Sequence, residues 1–198
     1  MTKSFVSCLA YILSLALLLT LSANAYTQET SDNKSLFPES TTDEWMSASY
    51  YETYRKDSEP HNLTDYLTAF GSDEDAIRNQ LGEPLNRYVE EVPNRHNEDE
   101  TNTEVTLEYD GLVIRLMSWS HKTFITDIYI DNCQLNSPFQ SYLCQPVTTI
   151  KKRLGKPTVT TGNELIYTTQ YGDMGTAPLR LGIKNNKIRW IYVRNYID

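Results

Sequence analysis

The sequence is poor in the side chains that reactive centres use. Its 198 residues include only three histidines, three cysteines and eight glycines. His61, His96 and His121 do not show a metal-binding spacing such as His-Glu-x-x-His, and no glycine-rich phosphate loop occurs. We therefore expect no catalytic residues, no metal site and no cofactor. A pair of carboxylates of the glycosidase type stays open as an alternative, because 26 acidic residues offer many pairs.

Basic residues are also in the minority, with 18 Lys and Arg against 26 Asp and Glu. The formal net charge is −8 and the sequence pI is about 4.9. Proteins that bind nucleic acid need clustered Lys and Arg to displace counterions from phosphates. The charge balance therefore argues against a nucleic-acid partner, and 39% hydrophobic residues are typical of a globular protein.

One long uncharged apolar run occurs, at residues 5–21. It is followed by Ser22-Ala23-Asn24-Ala25, a small-x-small pattern at which signal peptides are cleaved. The alternative is a membrane helix, but Ser14 and Thr20 interrupt the run. We predict a signal peptide that is cleaved near Ala25, so that the product is periplasmic or secreted.

The cysteines agree with this destination. Cys133 and Cys144 are predicted to form a disulfide in an oxidising compartment, and their spacing is not the Cys-x-x-Cys of redox enzymes. Cys8 does not follow the apolar run, so it cannot be the acylated first residue of a mature lipoprotein. We expect no stable membrane anchor.

An internal repeat organises the rest of the chain. Residues 75–84 (DAIRNQLGEP) and 148–157 (TTIKKRLGKP) both predict a short helix that ends in Leu-Gly-x-Pro. Glycine suits the position after a helix, and proline prevents its continuation. Strand-like segments follow each helix, with tight turns predicted at Asp110-Gly111 and Asn185-Asn186. The last strands also match, ITDIYI at 125–130 against IRWIYV at 188–193.

These patterns predict an α+β fold of two tandem repeats, each a short helical layer packed on an antiparallel β-sheet. The signal peptide occupies residues 1–25, and a flexible arm of mostly polar residues occupies 26–42. The first α+β repeat spans 43–132 and begins with a helix, predicted at residues 43–56. The second repeat spans 133–198.

The two helices and the paired last strands resemble the tandem-repeat fold of the β-lactamase-inhibitor proteins and of the small outer-membrane-assembly lipoproteins, the SmpA/OmlA family. The resemblance covers residues 65–198 and implies a module that binds a protein partner through a concave sheet. The acylated cysteine of the lipoproteins has no counterpart here. The residues that carry the resemblance are Ile77, Leu81, Gly82 and Pro84, with their partners Ile150, Leu154, Gly155 and Pro157.

Strand alternation assigns two faces to the predicted sheet. The aliphatic positions should lie under the helices and leave the other face open. That open face is rich in Trp, Tyr and Arg, which are enriched at interface hot spots. The alternative is that these aromatic residues fill a seam between the two halves. The partner-binding residues predicted on the open face are Arg115, Met117, Trp119, Asp127, Tyr129, Trp190, Tyr192 and Arg194.

A second candidate site is the loop at residues 94–104, which concentrates Glu98, Asp99 and Glu100. An acidic loop of this kind can enter a basic cleft of a partner and accelerate association. The alternative is that it is only a solvated loop.

The sequence therefore predicts an exported protein-binding module, an inhibitor or immunity protein that blocks a partner enzyme such as a secreted or periplasmic hydrolase. The alternative is a periplasmic envelope-assembly or scaffolding factor, and a hydrolase with a carboxylate site is the third hypothesis. Neither the identity of the partner nor the oligomeric state follows from the sequence.

Overall fold

The computed structural model describes residues 36–38, 61–62, 67–94, 96–97, 99–120, 122–170 and 176–195. The predicted signal peptide, most of the predicted arm and the helix predicted at residues 43–56 lie outside the described residues. Among the helices of the described part, none is long and apolar enough to cross a membrane.

The described residues form an α+β fold in which two helices lie on a mainly antiparallel sheet. The sheet has nine strands in the order β1-β7-β8-β9-β5-β4-β3-β2, with β6 also paired to β7. Only the short β1 runs parallel to its neighbour, β7. In chain order the elements are β1 His61–Asn62, a 3-10 turn Thr68–Phe70, α1 Glu74–Leu81, β2 Asn86–Pro93, β3 Thr101–Tyr109, β4 Leu112–Trp119, β5 Lys122–Ile130, a 3-10 turn Pro138–Ser141, α2 Val147–Leu154, β6 Val159–Thr160, β7 Glu164–Gln170, β8 Thr176–Lys184 and β9 Lys187–Arg194.

Local chemistry explains where α1 begins and where both helices end. The Asp73 carboxylate accepts a hydrogen bond of 2.9 Å from the backbone N–H of Ala76 and so caps α1. This hydrogen bond lowers the pKa of Asp73. The residues after the helices, Gly82 and Gly155, have φ values of +85° and +77°, which glycine adopts without a side-chain clash. The predicted helix ends are confirmed.

The core lies between the helices and one face of the sheet. Ile77 of α1 and Ile150 of α2 are fully buried in a cluster that continues across both halves of the chain. Full burial of one such side chain contributes about 1.5–3 kcal/mol. The prediction for the helix-facing side is confirmed. Its strand residues, none more than 1% exposed, are Leu112, Ile114, Leu116, Ile128, Ile130, Ile191 and Val193.

Strands β5 and β9 pair at the centre of the sheet. Tyr129 lies opposite Tyr192 in this pair. The hairpins on either side each contain a β-bulge, in which the extra residue is Thr126 of β5, opposite Arg115 and Leu116, and Arg189 of β9, opposite Gly182 and Ile183. A bulge bends the strand that carries the extra residue and increases its twist.

The two predicted hairpin turns are confirmed. Gly111, between β3 and β4, has a φ of +69°, and Asn185 and Asn186, between β8 and β9, have φ values of +54° and +59°. The Asn185-Asn186 turn has the positive φ at both central residues that a type I′ turn requires, whereas in the Asp110-Gly111 turn only Gly111 has a positive φ. Local turn chemistry therefore determines the register of both hairpins.

The predicted disulfide is also confirmed. Cys133 and Cys144 are bonded, with their Cα atoms 6.0 Å apart. The bond closes a short loop between β5 and α2 and holds it against the core, where Cys133 packs. Closure of a loop of this length contributes about 2–3 kcal/mol.

Gly182 in β8 provides a test of the packing on the sheet face away from the helices. A Cβ atom at this position would overlap the indole ring of Trp190, whereas a Cβ at Gly162 would meet no atom within 4 Å. We expect Gly182→Ala to lower the unfolding free energy by about 1–3 kcal/mol because it overpacks this contact. Gly162→Ala is the control and should change it by no more than about 0.5 kcal/mol. Urea denaturation measures both, and equal losses would contradict the packing.

Candidate functional site

The sheet face away from the helices, predicted to be open, is covered at its centre by Phe37. This side chain is 8% exposed. Its ring lies 5.8 Å from the ring of Tyr192, and the Arg115 guanidinium lies 4.3 Å from its centre. Phe37 belongs to the segment predicted as a flexible arm, and in the described part of that segment, residues 36–38, it packs with Val113 and Tyr192 in a second small cluster.

Two residues predicted to be exposed on the open face are buried, so the prediction is wrong for them. Asp127 is 1% exposed and Tyr192 is 6% exposed, although strand alternation predicts that both face solvent. The Tyr192 hydroxyl donates a hydrogen bond of 2.5 Å to Asp127, and burial raises the pKa of Tyr192. In this conformation neither side chain can be a direct contact of a partner.

A network of charges surrounds Asp127. Arg115 Nη1 and Arg194 Nε each lie 3.6 Å from one of its carboxylate oxygens. Arg115 Nε also lies 3.0 Å from Glu104 Oε1, although the N–H is not directed at that oxygen as a hydrogen bond requires. Burial raises the pKa of Glu104, the charges of Arg115 and, less strongly, Arg194 oppose this effect, and the like charges of Asp127 and Glu90 add to it. Glu104 is therefore a carboxylate with incomplete charge compensation.

A cleft of about 210 Å³ opens beside this network, between the sheet and the loop after β2. The end of β4 contributes Trp119, which is 41% exposed, and the half-buried Met117. The structure thus brings together five of the predicted partner-binding residues at one end of the sheet. These lining residues are Arg115, Met117, Trp119, Asp127 and Arg194.

The other predicted aromatic residues do not line the cleft. Tyr129 and Trp190 lie on the central strands, with their rings 6.2 Å apart, and both pack against the cluster that contains Tyr192. Trp190 also lies 5.8 Å from the Arg180 guanidinium. This arrangement corresponds to the alternative in which aromatic residues fill the seam between the two halves.

The acidic loop borders the cleft. Asp99 and Glu100 are exposed, and Glu98 lies outside the described residues. The buried Asn94 supports the loop, because its Oδ1 accepts hydrogen bonds from the backbone N–H groups of His96 and Asn97, at 2.8 and 3.2 Å. Sequence reasoning missed this role, although an asparagine at the start of a polar loop is a known signal for such a turn.

A second residue that sequence reasoning missed is Asn195, which follows β9 and lines the cleft. It is 5% exposed. Its Nδ2 donates to the Ile125 carbonyl at 3.3 Å, but its Oδ1 has no hydrogen-bond partner among the described residues. An unpaired buried acceptor is costly and rare in folded proteins, so it marks a position where a donor is missing. No pattern in the sequence predicts that Asn195 is buried in this way.

The buried pair of Arg180 and Glu164 was also missed. Their side chains are 4% and 9% exposed, and two guanidinium nitrogens contact the carboxylate at 2.9–3.1 Å. Arg180 lies 5.7 Å from the centre of the Tyr192 ring. Because a buried charge must be paired, this pair belongs to the framework of the second half.

The described residues contain no group of three or more His, Cys, Asp and Glu side chains that could hold a metal ion. Comparisons with protein-family models, with curated proteins and with solved structures found no significant match to this chain. The resemblance to the β-lactamase-inhibitor proteins and to the SmpA/OmlA family therefore stays a prediction from the sequence.

The tyrosines of the central strands predict how stability depends on pH. Burial, together with the nearby Asp131, raises the pKa of Tyr129 from 10.0 to about 12. A pKa that is higher in the folded state contributes stability that is present below about pH 10 and is lost as the pH rises to about 12. We expect the unfolding free energy to fall across this window, and to fall less steeply in Tyr129→Phe.

Urea unfolding at a series of pH values measures this effect. Between about pH 7 and 9 the two proteins should differ by a constant amount, because Tyr129 is protonated in both the folded and the unfolded states. Identical slopes above pH 10 would show that Tyr129 is not buried as described.

Proposed function

We propose that this chain is an exported protein-binding module that acts by binding, as an inhibitor or immunity protein, and blocks a partner enzyme. Its binding site comprises the cleft and the adjacent acidic loop. The observation that carries the proposal is the exposed Trp119, which lines the cleft together with Arg115 and Met117. Trp and Arg are the residues most enriched at interface hot spots, and Met adapts its shape to a partner.

The geometry around the cleft supports a preformed site. Asp127 is held by Tyr192 and lies near two arginines, so the side chains behind the cleft are fixed by buried contacts. A site that is rigid before binding loses less conformational entropy when the partner binds. The exposed Asp99 and Glu100 add negative charge beside it, which would attract a basic partner.

Export is part of the proposal. The Cys133–Cys144 disulfide supports an oxidising compartment, since disulfides seldom persist in the cytosol. Cleavage near Ala25 would release the product without an anchor into the periplasm or the medium. The partner would then be a periplasmic or secreted hydrolase.

We also propose that the two halves are tandem repeats of one unit. The register supports this, because Tyr129 pairs with Tyr192, its counterpart in the matching last strands. An antiparallel pair of equivalent strands related by a twofold axis has this property. The extra residues of the two bulges, Thr126 in β5 and Arg189 in β9, lie at equivalent positions of this alignment.

A hydrogen bond that occurs in both halves also supports the repeat. The hydroxyl of Tyr109 in β3 donates to the carbonyl of Gly82, and the hydroxyl of Tyr167 in β7 donates to the carbonyl of Gly155, both at 3.3 Å. Each bond joins the second strand of a half to the glycine that ends its helix. If the two halves arose from one duplicated unit, both are expected to keep this contact.

A first experiment identifies binding partners, and a second measures how the replacement of single tryptophans changes the affinity for them. The exported protein, immobilised, would be incubated with envelope and secreted fractions, and bound proteins identified by mass spectrometry. A recovered hydrolase whose activity falls when the protein is added supports the proposal. Recovery of outer-membrane assembly proteins without such an enzyme would instead favour the scaffolding alternative and overturn the inhibitor role.

With that partner in hand, Trp119→Ala should weaken binding by more than about 2 kcal/mol, as hot-spot residues do. Because the side chain is 41% exposed, the unfolding free energy should change by no more than about 0.5 kcal/mol. Calorimetric titration and urea denaturation measure the two quantities.

Trp190→Ala is the matched control. Its ring packs over Gly182 and beside Tyr129, so the substitution should lower stability and leave the affinity of the folded protein nearly unchanged. If Trp190→Ala abolishes binding in a protein that is still folded, or if Trp119→Ala does not affect it, the site is at the centre of the sheet and not at the cleft.

A further inference from the structure

On the basis of the proposed function, we infer that the cleft receives a cationic side chain of the partner protein, an arginine or a lysine. In this arrangement Trp119 forms the wall for the cation, Glu104 is its counter-charge, and Asn195 Oδ1 accepts one of its hydrogen bonds.

The charges in the cleft favour a cation. Asp127 lies near both Arg115 and Arg194, so its charge is compensated. Glu104 has one ion-pair partner among the described residues, Arg115, which it shares with Asp127. Glu90 lies opposite Glu104 in the β2–β3 pair and adds a like charge. A further cation next to Glu104 would therefore relieve a repulsion, whereas an anion would increase it.

The acidic loop contributes charge of the same sign. Asp99 and Glu100 are exposed on the loop whose residues Asn94 and His96 line the cleft. These two carboxylates add negative charge at the border of the cleft, beyond that of Glu104. The charge distribution thus attracts a positively charged group as it approaches and stabilises it once it is bound.

The unpaired acceptor provides an independent indication. Asn195 Oδ1 is buried in the lining of the cleft and has no donor among the residues that the structure describes. Guanidinium and ammonium groups carry donors only, five and three respectively, and no acceptor. Among the described residues, Arg115 Nε is a donor in the cleft without a hydrogen-bond partner, but it lies 3.0 Å from Glu104 Oε1, so a carboxylate of the protein is already beside it.

The walls and the size of the cleft fit such a side chain. Trp119 and Phe124 line it together with Met117. Indole rings are the best partners for cations, and Arg stacks on their faces. The volume of about 210 Å³ exceeds the roughly 150 Å³ in which an engineered protein cavity binds benzene.

The test uses small probes and the protein alone, so that it does not depend on a captured partner. The probes are Nα-acetyl-L-arginine N-methylamide, the neutral isostere Nα-acetyl-L-citrulline N-methylamide, and the anionic Nα-acetyl-L-glutamate N-methylamide. Titrations followed by ¹H–¹⁵N NMR would report the indole N–H of Trp119, assigned with Trp119→Phe. We expect the arginine probe to shift this signal and to bind at least about tenfold more tightly than the citrulline probe, a difference of about 1.4 kcal/mol.

Two substitutions locate the site. Glu104→Gln should weaken the arginine probe by about tenfold and leave the citrulline probe nearly unchanged. The control is Glu108→Gln, on the same strand and the same side of the sheet but outside the cleft, which should not change the affinity. Should Glu104→Gln fail to fold, Trp119→Ala replaces it, since an exposed side chain can be removed without loss of the core. Binding to that variant is followed on the backbone amide signal of Met117, which also lines the cleft.

Three results would overturn the inference: equal affinities for the arginine and citrulline probes, tighter binding of the glutamate probe, or equal losses in Glu104→Gln and Glu108→Gln. The proposed function fails separately. If the arginine probe binds as expected but no protein partner is captured, the cationic site stands and the inhibitor role falls. If an inhibited enzyme is captured and the arginine probe does not bind, the reverse holds.

Discussion

The buried carboxylate of Asp127 is the constraint on which the organisation of the sheet face away from the helices depends. A carboxylate that is 1% exposed must be paired, because an isolated charge in the interior costs several kcal/mol or more. Its partners come from different strands, Arg115 from β4, and Tyr192 and Arg194 from β9. The ion therefore joins the two halves of the chain on one face while the aliphatic core joins them on the other.

The Asp127 carboxylate also determines which charge the cleft favours. By engaging both arginines, Asp127 leaves Glu104 with a shared cation and an acidic neighbour. The Arg115 guanidinium also lies over Phe37, so this side chain covers the centre of the face. Trp119 lies beyond this cover, at the end of β4, and stays exposed. Because the charge of Asp127 is compensated and that of Glu104 only partly so, the cleft favours a cation.

Much of the fold could be predicted from the sequence because it follows from local rules. The glycines that end α1 and α2, the Asn185-Asn186 turn and the aliphatic alternation of β5 and β9 each depend on a few consecutive residues. The candidate site was predictable in part. Strand alternation placed Arg115, Met117 and Trp119 on the correct face, but it has no means of deciding which residues on a face are covered.

The sequence by itself determined the helix ends, the hairpin turns, the disulfide partners and the helix-facing side of β4, β5 and β9, since these need only backbone preferences, period and the number of cysteines. Only the tertiary structure decided that Asp127 is buried against Tyr192, 65 residues away, that Phe37 covers the centre of the face, and that Asn195 Oδ1 has no donor among the described residues. The physical reason is that burial and pairing depend on residues that are distant in the chain, and a local pattern contains no information about them.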